Sequence, residues 1–145
     1  MTDPCFTTSS LFPCSASDLH AWHSRPGALE RLIPPWEQTH VVAREGGIDP
    51  GGQVVLAMHA GPLPFRWHAR HVANTPGVVF QDIQEHGPFA RWTHTHRFSD
   101  VDNGALLEDR IDYALPGQPL LPACATSMVD RTLQRVFRYR HDTLR

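Results

Sequence analysis

Apolar and polar residues alternate along much of this chain, and the alternation changes period once. In Trp92-Thr93-His94-Thr95-His96-Arg97-Phe98 the strand period of two puts Trp92, His94, His96 and Phe98 on one face. Thr93, Thr95 and Arg97 take the other. Seven segments have strand character: residues 5–12, 39–44, 53–59, 65–74, 78–84, 90–101 and 106–115. Between the last six lie turn formers such as Asp49-Pro50-Gly51-Gly52, Thr75-Pro76-Gly77 and Asp102-Asn103-Gly104. Ser15 or Ser17 offers an N-cap for a short helix over 16–23, and Pro26 fits the first turn of a second helix ending at Arg31 or Leu32. Over 122–144 the period becomes helical. Met128 or Val129, Leu133, Val136, Phe137 and Leu144 recur at helix spacing, with Arg131, Arg135, Arg138 and Asp142 between them.

The order is strand, two short helices, six strands and one long helix. It predicts an α+β domain: a seven-stranded antiparallel sheet wrapped around a long C-terminal helix, with two short helices after strand 1. A sheet that curves around its helix leaves a cavity between them.

The face carrying His94 and His96 bears on what that cavity does. Apolar residues would fill a plain core at lower cost, because each buried imidazole needs a hydrogen-bond partner. Two aromatics and two imidazoles together suit a wall that holds an apolar ligand and orients it.

Composition narrows the classes. The 145 residues are 41% hydrophobic and 19% charged, with net charge −2, so one folded domain over 1–145 is expected. No block of like charge points to nucleic acid as a partner, and no apolar stretch is long enough for membrane insertion. No basic segment followed by an apolar run marks a signal peptide. Cys5, Cys14 and Cys124 are few and scattered, which fits a reducing cytoplasm rather than a disulfide framework. Cys124 is expected to be an inert core residue. A homodimer is a possible assembly, although nothing marks an interface.

Several residues are candidates for chemistry. His94 and His96 could supply two metal ligands, with Asp82, Asp109 or His71 as a third, yet no compact metal motif is present and no metal or cofactor is expected. Asp82 and Asp109 fall mid-strand, where Asp is disfavoured. Each either faces the cavity beside an imidazole, as a base or orienting partner, or pairs with Arg66, Arg91 or Arg110 near solvent. Trp67 shares a face with Phe65, Ala69 and His71, opposite Arg66, His68 and Arg70. The expected ligand-binding set is Met58, Trp67, Asp82, Trp92, His94, His96, Phe98 and Tyr113. Trp22 and Trp36 are expected to pack inside a rigid cap, with Arg25 tying down a helix end. Tyr139, Arg140 and His141 near the end of the long helix are expected to serve its dipole.

The chain resembles the START/SRPBCC superfamily and, within it, a bacterial polyketide cyclase/dehydrase-like branch. The motifs that carry the resemblance span almost the whole chain. They include Trp22-His23-Ser24-Arg25-Pro26-Gly27-Ala28, Leu32-Ile33-Pro34-Pro35-Trp36 and Phe80-Gln81-Asp82-Ile83-Gln84. Gly87-Pro88-Phe89-Ala90-Arg91-Trp92 runs into the paired histidines, and Asp109-Arg110-Ile111-Asp112-Tyr113-Ala114-Leu115-Pro116 and Phe137-Arg138-Tyr139-Arg140-His141 follow. The resemblance implies a helix-grip fold with a deep cavity for lipids, isoprenoids, polyketides or aromatic compounds. Related modules are also fused to nucleotide-sugar epimerase-like domains, whereas this chain is expected to act alone or with a separate partner.

Binding or carriage of a hydrophobic small molecule is therefore the expected function. The alternative is a cyclase or dehydratase in which His94 or His96 moves a proton and Asp82 or Asp109 orients it. A second alternative is a protein-interaction or stress-response module with a closed cavity.

Overall fold

The computed structural model describes residues 4–60, 62–117 and 123–144. The elements run β1 (Cys5–Phe12), α1 (Ala16–Trp22), α2 (Ala28–Arg31), β2 (His40–Glu45), β3 (Gln53–Ala60), β4 (Leu63–Thr75), β5 (Val79–His86), β6 (Arg91–Val101), β7 (Gly104–Ala114) and α3 (Ala123–Leu144). The strands form one antiparallel sheet in the order β1-β7-β6-β5-β4-β3-β2. Only β1 leaves sequence order, pairing with β7 at the end of the meander. This is the α+β helix-grip architecture. The expected start of the long helix at Pro122 lies outside the described residues.

Local chemistry explains most boundaries. Ser15 caps α1 by accepting from the Asp18 amide at 3.1 Å, while the Ala16 amide donates to Asp100 on β6 at 2.8 Å. Two otherwise unpaired helix amides are thus satisfied, and the second bond ties α1 to the sheet. Ser15→Ala is expected to cost about 1 kcal/mol, read as a lower urea midpoint with an unchanged slope. Helix α2 is a single turn, shorter than the expected start at Pro26. Gly27 stands before it at φ 81°, a left-handed conformation that no continuous helix contains. The β6–β7 turn places Asn103 at φ 68°, and Gly104 follows so close to β1 that a Cβ there would lie 2.1 Å from the Phe12 carbonyl oxygen.

Register shifts interrupt β2 between Val41 and Ala43, and β4 between His68 and Ala69 and between His71 and Ala73. Such irregularities sharpen strand twist and help a sheet curl. Beneath the curl the core divides in two. Phe12, Ala16, Leu19, Phe80, Phe98, Ala105 and Leu107 pack under α1. Phe6, Ile111, Tyr113, Leu133 and Phe137 pack under α3.

Val129 supplies the helical stripe's first member, packing against the α3 cluster, whereas Met128 is 66% exposed. No described helix is long and apolar enough to cross a membrane. The three cysteines are free, and Cys124 is exposed rather than a core residue, because at 3.6 residues per turn it falls on the side of α3 away from Val129, Leu133 and Phe137. Trp36 also departs from expectation. It is 48% exposed and lies on the outer side of α3, edge-on to Tyr139 and beneath the Arg135 guanidinium, rather than inside a cap. Arg25 is exposed, and the α1–α2 junction is held by backbone bonds instead.

Candidate ligand cavity

Antiparallel register assembles the polar cluster. His96 lies opposite Asp109 on β7, and His94 lies opposite Asp82 on β5. All four side chains share the inner face. Asp109 is the hub. Its Oδ1 is 2.9 Å from His94 Nε2 and 2.9 Å from His96 Nδ1, and its Oδ2 is 2.7 Å from His141 Nε2 on α3. His141 Nδ1 meets the Ser10 hydroxyl at 2.7 Å. In the tautomer whose Nε2–H donates to Asp109, His141 Nδ1 accepts from the Ser10 hydroxyl. His96 Nε2 turns to Asp82 Oδ2 at 3.3 Å. The network therefore joins β1, β5, β6, β7 and α3.

Burial sets the charges. Desolvation alone would raise the Asp109 carboxyl, but hydrogen bonds from His141, His94 and His96 outweigh it and hold the group well below the usual carboxylate range. Asp82 is lowered too, its desolvation overcome by the His96 hydrogen bond and the neighbouring imidazoles. His96 loses stability as a cation through burial but regains more from Asp109 and Asp82, so its pKa rises. His94 shares Asp109 with it. Burial and the adjacent His96 charge push His94 down. His96 therefore holds its proton more tightly than a free imidazole, and His94 less tightly. Phe80 stacks on the His96 ring with centroids 3.9 Å apart, an aromatic face that favours the protonated form.

Of this network, Asp82, His94 and His96 line a cavity of about 510 Å3 between sheet and α3. The remaining wall is mainly apolar. Val54, Leu56 and Met58 come from β3, Phe65, Trp67 and Ala69 from β4, and Val129, Leu133, Val136 and Phe137 from α3. Trp67, Phe89 and Trp92 make an aromatic corner, with Trp67–Trp92 centroids 4.9 Å apart and edge-on. Phe89 lies in a loop, yet Gln84 clamps its backbone at two points: Gln84 Nε2 donates to the Phe89 carbonyl and Gln84 Oε1 accepts from the Phe89 amide. His23 at the end of α1 reaches the wall beside His96. Desolvation, helped by the His96 charge, pushes its pKa down to about 4.

Of the residues expected at a ligand site, Met58, Trp67, Asp82, Trp92, His94 and His96 line this cavity. Phe98 and Tyr113 do not. Phe98 keeps the inner face of β6 but lies under α1, packed on His20 and Phe80. Tyr113 is fully buried behind Phe89 and Trp92, and its hydroxyl donates toward the Thr126 carbonyl and Asp130 of α3. Both aspartates turn inward, and Arg110 pairs with Asp112 instead. His141 does more than serve a helix end. It follows Leu133 and Phe137 at steps of four, so the sequence carried the signal that it belongs to the buried face. Ser10, His23 and Phe89 had no comparable signal.

Asp82, His94 and His96 bring one potential ligand atom each within 4.8 Å of one another, a donor set that suits a zinc-like ion. As arranged, His96 commits both nitrogens to carboxylates, so an ion would displace the Asp82 contact.

Comparison with known proteins agrees with this geometry. Residues 12–139 match the family described as polyketide cyclase/dehydrase and lipid transport. No curated protein matches. Among solved structures, a nucleoside-diphosphate sugar epimerase from Corynebacterium glutamicum is similar at 29% identity and TM-score 0.72, over 96% of this chain and 28% of that one. The chain thus spans less than a third of that protein's length. The di-domain aromatase/cyclase StfQ of the steffimycin biosynthetic pathway is similar at 13% identity and TM-score 0.76, over 99% of this chain and 50% of that one. Ara h 8.0201 is similar at 16% identity and TM-score 0.69, over 97% of each. Matching over most of its length, the chain belongs to the polyketide cyclase/dehydrase and lipid transport family.

Proposed function

We propose that the protein, as a single cytoplasmic domain, binds or carries a hydrophobic small molecule with a polar end in the cavity between its sheet and α3. One observation carries this reading. A cavity of about 510 Å3 has apolar walls and an aromatic corner, and it gathers Asp82, His94 and His96 into its wall. Ligand pockets commonly hold about 300–1,000 Å3 and have this layout, with mostly apolar walls and a few convergent polar groups. Burying apolar ligand surface yields roughly 25 cal/mol per Å2 before association costs, so a flat ring system against Trp67 and Trp92 gains most from the corner.

The cyclase or dehydratase reading draws on the same residues and on the family description. It ranks second because His96 has both ring nitrogens engaged by carboxylates, which holds its proton rather than presenting it. A closed interaction module gains no support from a cavity larger than a ring system.

The neutral fluorophore N-phenyl-1-naphthylamine tests the first reading. It is expected to bind saturably with one site per chain, and native mass spectrometry of gently purified protein is expected to find a small apolar ligand at the same stoichiometry. Met58→Trp fills the cavity from β3 and is expected to weaken the fluorophore by about tenfold or more while unfolding stays cooperative. Non-saturable binding, or a Met58→Trp protein that binds as well as the parent, would rule the reading out.

A further inference from the structure

Among the described residues, two buried side-chain nitrogens have no hydrogen-bond partner: Nε of Arg140 and Nδ1 of His71. They come from opposite walls, α3 and β4, and both residues line the same cavity. An unmet buried polar group costs roughly 1–3 kcal/mol, more when charged, so two of them on residues that line one space mark where a ligand group is wanted.

Arg140 is the stronger marker. Its side chain leans back along α3, as helical side chains do, and its guanidinium lies 5.0 Å from the centroid of the Phe137 ring. An arginine cannot shed its proton to escape burial. The carboxylates that act on it electrostatically, Asp109 and Asp82, are already engaged by His94, His96 and His141. Arg140 Nε therefore has a hydrogen to donate and no acceptor. His71, whose pKa burial lowers, adds a second polar atom, one that can donate or accept when the ring is neutral.

We propose that Arg140 anchors the carboxylate of an amphipathic acid, with the acid's apolar body lying along the rest of the cavity wall. This rests on the ligand-carrier reading above and names its ligand class. The guanidinium recognises the oxygens through a charge-assisted hydrogen bond, roughly twice as strong as a neutral one. Asp82 faces the same space, and its bond to His96 keeps its charge compensated. Alcohols and hydrocarbons with the same body would fill the cavity but leave Arg140 unmet.

The test uses the full chain near pH 7, with N-phenyl-1-naphthylamine as reporter and decanoic acid and 1-decanol as competitors. The acid is expected to displace the reporter at about tenfold lower concentration than the alcohol, the size of one charge-assisted contact. In Arg140→Gln that advantage is expected to vanish, read as the ratio of acid to alcohol concentrations at half displacement, which a change in reporter affinity alone does not alter. Arg140→Lys keeps the charge without the fork, and is expected to retain part of the preference. Melting temperature should stay level or rise in Arg140→Gln, because an unpaired buried charge has been removed. Equal displacement by acid and alcohol in the parent protein would overturn the assignment, and so would a preference that survives Arg140→Gln. A fall in melting temperature with equal loss of reporter and acid would make Arg140 a packing residue and also overturn it. If the reporter itself fails to bind, the carrier reading falls as well, which separates the two failures.

Discussion

Replacing Asp109 with alanine is expected to remove about 3–5 kcal/mol of stability, a large share of the 5–15 kcal/mol typical of a domain. Three imidazoles, on β6 and α3, lose their common acceptor at once. His96 also loses the contacts from Asp109 that raise its pKa, and the Ser10–His141 bond loses the partner that orients it. At this chain length the loss corresponds to a melting temperature lower by about 10–20 °C, measured by circular dichroism near pH 7. Asp109→Asn is expected to fall between the two. Its amide oxygen still accepts from an imidazole N–H, but its charge is gone and its nitrogen brings a donor where only donors point. A melting temperature within about 3 °C of the parent for Asp109→Ala would mean that the hub is not a mainstay of the fold.

Acid is expected to weaken the fold well above the range in which carboxylates titrate. His23, His94 and His71 are all depressed below 6.5, His23 to about 4. The unfolded chain takes up protons at these positions near pH 6.5, and the folded chain does not until lower pH. Their contribution is therefore present above about pH 6.5 and is lost as pH falls through their folded values, about 4 for His23. His23 alone accounts for up to ~3 kcal/mol, less in proportion to any water that reaches its cavity face. Asp109 and Asp82 are also depressed, so their contribution is lost only as pH falls below about 3.8 through their folded values. His96 has the opposite sign. Its contribution is full below about 6.5 and is lost as pH rises through its raised folded value. Melting temperature plotted against pH should thus peak near neutrality and drop between about pH 6.5 and 4. His23→Phe is expected to flatten that acid limb, because the ring still packs on Phe80 and Phe98 but has no proton to gain. An acid limb identical in the two proteins would reject the assignment to His23.

How much of this was legible in the chain differs from element to element. Strands of period two, bounded by turn formers, set β1 to β7 to within a few residues, and Leu133 and Phe137 marked the buried side of α3. The same alternation put His94 and His96 on one face, but it left open whether Asp82 and Asp109 turn toward them or toward solvent arginines, which the register of β5, β6 and β7 decided. Errors arose where an element covers only part of a face. Phe98 has the parity of a wall residue, but α1 lies over it. Tyr113 has the parity of Asp109, but Phe89, Trp92 and α3 close it off. Trp36, expected inside a rigid cap with the short helices, instead lies against α3, where Tyr139 and Arg135 cover part of it.

By itself, the order of apolar and polar residues determined which segments are strands or helices, which side of each is apolar, and so the α+β class. That information is local, since the periods of 2 and 3.6 are properties of neighbouring residues. Which side chains meet was decided by the tertiary structure alone. His141 reaches Asp109 across 32 residues of sequence, and Arg140 and His71 come to line one cavity, because the curl of the sheet sets where α3 lies. Such distances depend on the summed twist of seven strands and the packing of a helix against them, and no short stretch of sequence contains that sum.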